Sequence, residues 1–503
     1  MPGLRPSVRA PGARIDEARV PEMRGHRARQ TIVGIRGERA IFRLIARDGA
    51  GALWLVRRSA RRRQLQGQLT MVGKTSIRLK ADTTRFSGWC PALAGLLAIA
   101  AASGSASQAP VFVPQAIASP AAINSAQPQL SVSKRGVLVS WIERSGDLAT
   151  LKFAERTASG WTRAQTITSG RDWFVNWADV PSVLRLPSGA IVAHWLQKSG
   201  PSTYAYDVRL SHSTDDGKTW SASYLPHHDG TPAEHGFASL FPIGDGFGLV
   251  WLDGRAMKPG GDHGGEHGGG GAMSVRFGQF DKSFKQIAET AVDTRVCECC
   301  PTAAAVTADG VITAYRDRSD QEIRDNYVSR LVHGKWTTPQ PVFSDNWQIA
   351  ACPVNGPALA AAGRRVAMTW FTVKQDQGQA YLAFSDDAGA TFGKPIRVDD
   401  GGSLGRVDVE LLGDGAALAT WIEFADQPVS PKPAGEGGRA QFRARRIEPN
   451  GTRSAAVTIS GIAGSRASGY PRAAIANGEA VFAWTESGDG GSLQVRTASA
   501  RVP

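Results

Sequence analysis

Cys297-Glu298-Cys299-Cys300-Pro301 places three thiols within four residues, and Cys352-Pro353 supplies a fourth some fifty residues later. Histidines gather in the segments before them: His227, His228 and His235, then His263 and His267 in a glycine-rich loop. Thiolate and imidazole together suit copper or zinc, so Cys297, Cys299, Cys300, Cys352, His263 and His267 are candidate metal ligands. Cys-x-Cys-Cys is not the common zinc spacing, and no Cys-x-x-Cys-His marks haem attachment. The same four cysteines suit disulfides, since an even count in an exported chain favours pairing. Three connectivities stay open. Cys300 paired with Cys352 would staple successive repeats. The sequence requires no cofactor of its own; copper or zinc is what the cysteine–histidine reading would add.

A second constellation is acidic. The residues Glu143, Gln197, Asp253, Asp317, Thr372, Glu423 and Glu486 each stand two places after a recurring aromatic, and five of the seven are carboxylates. Two carry arginines close by, in Asp253-Gly-Arg255 and Arg316-Asp317-Arg318. Read functionally, Asp253 and Asp317 would do acid/base work, and Arg255, Arg316, Arg318 and His235 would hold an anionic substrate. Read structurally, these carboxylates accept N–H groups where the strands end.

The recurring aromatic organises the chain. It is Trp141, Trp195, Trp251, Tyr315, Trp370, Trp421 and Trp484, at intervals of 54, 56, 64, 55, 51 and 63 residues. Each closes a short apolar run that starts after a glycine, as in Gly246-FGLVW and Gly415-AALATW. Before it lies a segment often opened by proline; after it come an alternating strand and an outer strand. Four short strands per period are one propeller blade. The fold class is therefore all-β: a single closed β-propeller of four-stranded blades over residues 107–503, seven blades preferred, with six plus an irregular insertion as the alternative. The last period stops after three strands, and Val111-FVPQAI reads as an orphan outer strand. If it completes the last blade, the ring closes and no sheet edge stays open.

Ser213-Thr-Asp215-Asp-Gly217-Lys-Thr219-Trp220 resembles the Asp-box of the sialidase (BNR-repeat) superfamily, and Ser385-Asp-Asp387-Ala-Gly389-Ala-Thr391-Phe392 is a second copy. The carboxylate can accept turn N–H groups, the glycine permits the bend, and the aromatic pins the turn. The box marks a hairpin between third and fourth strands and is not catalytic. The resemblance implies a glycoside hydrolase or lectin for acidic glycans, with an arginine triad, a tyrosine nucleophile and an aspartate acid/base. It places that tyrosine at Tyr470, at the mouth of the last inner strand. Pro120-Ala-Ala-Ile-Asn124 stands where the family carries an Arg-Ile-Pro motif.

Charge separates the ends of the chain. The formal charge is +13, yet residues 1–106 hold 20 Lys/Arg against 6 Asp/Glu, leaving 38 against 39 beyond them. The body has no net positive field to gather phosphates, which excludes a nucleic-acid partner. Residues 1–70 read as a basic, non-globular segment upstream of the true start at Met71. Residues 71–106 read as a signal peptide: a basic stretch, the apolar Pro91-ALAGLLAIAAA, then Gly104-Ser105-Ala106 for cleavage. That run is too short for a transmembrane anchor. A periplasmic or secreted monomer with an acidic glycan or small-molecule ligand is expected. The alternatives are a metal- or redox-linked propeller and an interaction scaffold.

Overall fold

The computed structural model describes residues 43–47, 53–57, 70–71, 112–257, 271–425 and 438–502. The chain divides into two compact units, Met1–Ala102 and Ser103–Pro503. In the first, Arg43–Arg47, Leu53–Arg57 and Thr70–Met71 form a three-stranded sheet. The expected signal stretch beyond Met71, with its cleavage site at Ala106, lies outside the described residues.

The second unit is a propeller of seven antiparallel sheets. The inner strands of blades 1 to 7 are Ser125–Ser133, Ser182–Arg185, His235–Ile243, Ala303–Thr307, Ala358–Ala362, Ser403–Leu411 and Arg472–Ala476. Each inner strand contacts those of the two neighbouring blades, and blade 7 contacts blade 1. Gln115–Ile117 pairs with Leu493–Arg501 as the outer strand of blade 7, so the first strand of the propeller completes the last blade. Helix is limited, among the described residues, to two short 3-10 turns at Arg466–Ser468 and Asp489–Gly491. None of the described helices is long and apolar enough to cross a membrane.

The repeating aromatic sits on the second strand of every blade, and all seven copies are buried. Side chains two apart on a strand share a face. The indole N–H of Trp141, Trp251 and Trp421 therefore reaches the carboxylate two residues on, at Glu143 (2.9 Å), Asp253 (2.8 Å) and Glu423 (2.7 Å). Much of the acidic series is thus explained by the need to satisfy a buried donor. Blade 2 departs from the expected pattern. The segment from Trp220 makes no outer strand, only a bridge between Leu210 and Tyr224.

The two eight-residue turns share one hydrogen-bond network. Asp215 accepts from Ser213 Oγ (2.8 Å), Thr219 N (2.9 Å) and Thr219 Oγ1 (2.7 Å). Asp387 accepts from Ser385 Oγ (2.7 Å), Thr391 N (2.9 Å) and Thr391 Oγ1 (2.6 Å).

Candidate functional site

Between the outer strand of blade 3, Gln286–Val296, and the inner strand of blade 4 runs a short connection, Cys297 to Thr302. It carries three cysteines into the interior, where Cys297 and Cys300 are 1% exposed and Cys299 8%. Their sulfurs converge: Cys297 Sγ lies 3.4 Å from Cys300 Sγ and 3.8 Å from Cys299 Sγ. Cys352, half-buried in the connection that enters blade 5, reaches Cys299 through a thiol hydrogen bond. All four are free. The expectation of disulfides is corrected here, since bonded sulfurs stand about 2.05 Å apart.

Buried arginines hold this loop. Glu298, itself 1% exposed, is clamped by Arg318 on Oε1 and by Arg324 on Oε2 at 2.9 Å. Arg324 also donates to Cys297 Sγ at 3.2 Å, and Glu322 bridges the same two arginines. Arg316 is fully enclosed and donates to the carbonyls of Asn355, Arg324 and Phe371. A buried guanidinium with so many donors needs such a cage. Burial would push the Cys300 thiol up. Hydrogen bonds from Cys297 and Cys299, the Arg316 charge and the Asn355 N–H outweigh it and hold Cys300 well below the usual thiol range. Burial pushes Cys297 up to about 11.

Tyr470 packs into the same cluster. Its hydroxyl donates to the Val354 carbonyl at 2.7 Å, and its ring stacks on Trp177 at 6.0 Å. Burial first, then the nearby Cys300 charge, raises its pKa. It is 2% exposed. Its surroundings are the cysteines, Trp177 and two arginines: Arg472 lies over its ring at 5.4 Å, and the charges of Arg406 and Arg472 oppose the rise.

The other expected site residues divide among separate places. Asp253 and His235 are completely buried, so neither faces an open substrate site. Both Asp253 oxygens are taken, by Arg255 Nε (2.7 Å) and Arg255 Nη2 with Trp251 Nε1 (2.8 Å each). Arg318 and Arg316 serve the cysteine loop. Asp317 alone keeps the character of an acid/base group: burial and then the charge of Asp293 push its pKa up to about 7. His263 and His267 lie outside the described residues.

A cavity of about 300 Å³ opens onto the cluster, with Cys299 and Cys352 in its wall beside Trp177, Tyr206, Glu234 and Arg466. Tyr206 donates toward Glu234 (2.8 Å) and Asp179 (2.9 Å). A second cavity of about 430 Å³ runs between the inner strands and meets Asp179, Asp408, Glu410 and Arg472. Sequence reading missed Glu298, Arg324, Tyr206 and Asp179. Glu298 had a signal in its place between the cysteines. The others lie on separate connections and at the start of one strand, far apart in the chain, and show no pattern of their own.

No family model matches the chain, and no curated protein matches it. Among solved structures, the chain is similar to polysaccharide lyase Uly1, with 12% identity over 74% of this chain and 89% of that one, at a TM-score of 0.46. It is similar to phage phi92 endosialidase, with 9% identity over 78% and 69%, at a TM-score of 0.45. Trypanosoma rangeli sialidase in complex with the inhibitor DANA is a third, with 10% identity over 68% and 57%, at a TM-score of 0.39. The propeller stands on its own strand pairing.

Proposed function

We propose that this is an exported propeller that holds a thiophilic metal ion, copper(I) or zinc, on its cysteine cluster. One observation carries the reading: three buried sulfurs on a single connection converge to 3.4 and 3.8 Å, and a fourth cysteine adjoins them. Tetrahedral thiolate ligation at about 2.3 Å per bond separates sulfurs by about 3.8 Å, so the loop is already close to a ligating shape. Thiolate donors select copper(I) and zinc over harder ions. Cys297, Cys299 and Cys300 would be the ligands. Cys352, with Cys299 on the cavity wall, would guard the side from which an ion or exchange partner enters. Arg316 and Arg324 would balance the thiolate charge.

The test is metal content. Protein purified without chelator should carry at least one equivalent of copper or zinc that Cys297→Ser and Cys300→Ser each remove. Circular dichroism should show the strands intact. Metal-free protein whose four thiols are all alkylated on unfolding would overturn the reading. Export is checked by N-terminal sequencing, which should place the mature start just after Ala106.

A second reading, an acidic-glycan hydrolase or lectin, is favoured by the wall of the smaller cavity. Phe174, Trp177, Tyr204 and Tyr206 offer aromatic faces, and Arg466 offers a cation beside them. Aromatic faces with a few placed polar groups suit sugar rings. A fluorogenic sialoside and a panel of acidic glycans decide it: turnover or binding lost in Trp177→Ala supports it, and silence across the panel removes it.

A further inference from the structure

Away from the cysteines, blades 2 and 3 bury a cluster of imidazoles and carboxylates. Asp207 lies at the start of the third strand of blade 2, Tyr206–Ser213. His227 and Asp229 lie in the connection to blade 3. His235 opens its inner strand and pairs in register with Asp253. His235 is 0% exposed and His227 3%.

Their nitrogens are the unusual feature. His227 Nε2, His235 Nδ1 and His235 Nε2 make no hydrogen bond, although all three are fully enclosed. A buried imidazole nitrogen without a partner is costly, and such orphans call for an explanation. Two of the three face one carboxylate oxygen. Asp207 Oδ1 stands 3.4 Å from His235 Nδ1 and 3.8 Å from His227 Nε2, with no well-aligned hydrogen bond to either nitrogen. The rings stack at 3.8 Å, which fixes both edges toward Asp207. Asp229 orients the pair from behind. It meets His227 Nδ1 at 3.0 Å and is itself held by the Thr231 N–H at 2.9 Å.

From this geometry we infer a second metal site, a divalent transition-ion site of two imidazoles and one carboxylate, with His227 Nε2, His235 Nδ1 and Asp207 Oδ1 as ligands. Zinc bonds of about 2.0–2.2 Å to nitrogen and oxygen in tetrahedral array separate the donor atoms by about 3.4 Å, close to the distances here. One ion would satisfy two orphan nitrogens together. Asp229 takes the part of the carboxylate behind a ligating histidine, which fixes its tautomer and orientation. Asp253 takes no part as ligand, because Arg255 and Trp251 occupy both its oxygens. The donors are harder than thiolates, so the site would take zinc(II), or cobalt(II) as a probe, and would not favour copper(I).

Cobalt(II) distinguishes this site from the cysteine cluster, because thiolate ligation gives an intense charge-transfer band that nitrogen–oxygen ligation lacks. The full chain, stripped of metal and titrated with cobalt(II), should take up two equivalents, one with the thiolate band and one without. His227→Gln and the nearly isosteric Asp207→Asn should each remove the equivalent that lacks the band and leave the thiolate band unchanged. Should the cysteine reading fail, a single equivalent without the thiolate band would remain, still lost in these variants. The inference is overturned if every bound equivalent carries the thiolate band, or if both variants bind as much band-free cobalt as the wild type.

Discussion

The indole–carboxylate pairs show how a residue can look catalytic and be structural. Five acids at equivalent positions suggested a rim of reactive groups. Three of them accept the N–H of the tryptophan two residues before. The role has a measurable size. Trp421→Phe leaves Glu423 without its 2.7 Å donor in a buried setting and should cost about 1–3 kcal/mol in denaturant unfolding. Trp195→Phe should cost less, because that indole N–H has no partner to lose. Equal losses would mean that ring packing alone sets the value. Asp179 gives a pH signature. Burial first, then the charge of Glu234, pushes its pKa up to about 8. The folded state thus binds a proton that the unfolded state, with an ordinary aspartate pKa near 4, has released. Its contribution favours folding at low pH and is lost as pH rises from about 4 to 8. Asp179→Asn should flatten the fall in stability across that window, by up to about 1.4 kcal/mol per pH unit. Parallel stability–pH curves would contradict it. What the sequence made legible at this scale was which residues are reactive in type. It did not show which side chains turn inward, because Arg324 reaches Glu298 and Asp207 reaches His227 and His235 only when segments about 20 to 30 residues apart are brought together.

Strands and turns were far more legible than side chains, because their signals are local. A glycine, an apolar run and a tryptophan define each second strand, and the strand from Tyr206 to Ser213 falls where the alternation places it. The outer strand of blade 2 was not legible. Whether Trp220–Leu225 pairs along its length or touches at Tyr224 alone depends on the neighbouring strand. The first of the two eight-residue turns can be tested at its glycine, Gly217, against Gly189 in the plain hairpin of blade 2. Gly217 has φ +83°, and a Cβ there would come within 2.6 Å of Phe153 Cζ. Gly189 has φ +94° and open space around it. Gly217→Ala should therefore lose about 2–3 kcal/mol, the sum of backbone strain and overpacking, and Gly189→Ala only about 1 kcal/mol. Thermal unfolding of the two variants side by side checks the order, and the reverse order would show that Phe153 gives way.

Closure and period were the most legible features of the whole molecule, since a repeat that stops one strand short announces where the missing strand is. Phe112, just before the closing strand, is 4% exposed and stacks on Phe482 at 6.2 Å. Phe112→Ala should lower stability by about 3 kcal/mol while retaining one cooperative transition. An unchanged midpoint would mean that the closing strand adds little to the ring. Function was the least legible level, because the cysteine cluster is built from an irregular connection whose shape no period encodes. The central claim is that this connection ligates a metal through sulfur. X-ray absorption at the edge of the metal bound to the purified protein tests it most directly. The account predicts a sulfur shell at about 2.3 Å that disappears in a Cys297→Ser, Cys299→Ser, Cys300→Ser variant. A metal surrounded only by nitrogen and oxygen, or a spectrum unchanged by those three substitutions, would contradict it.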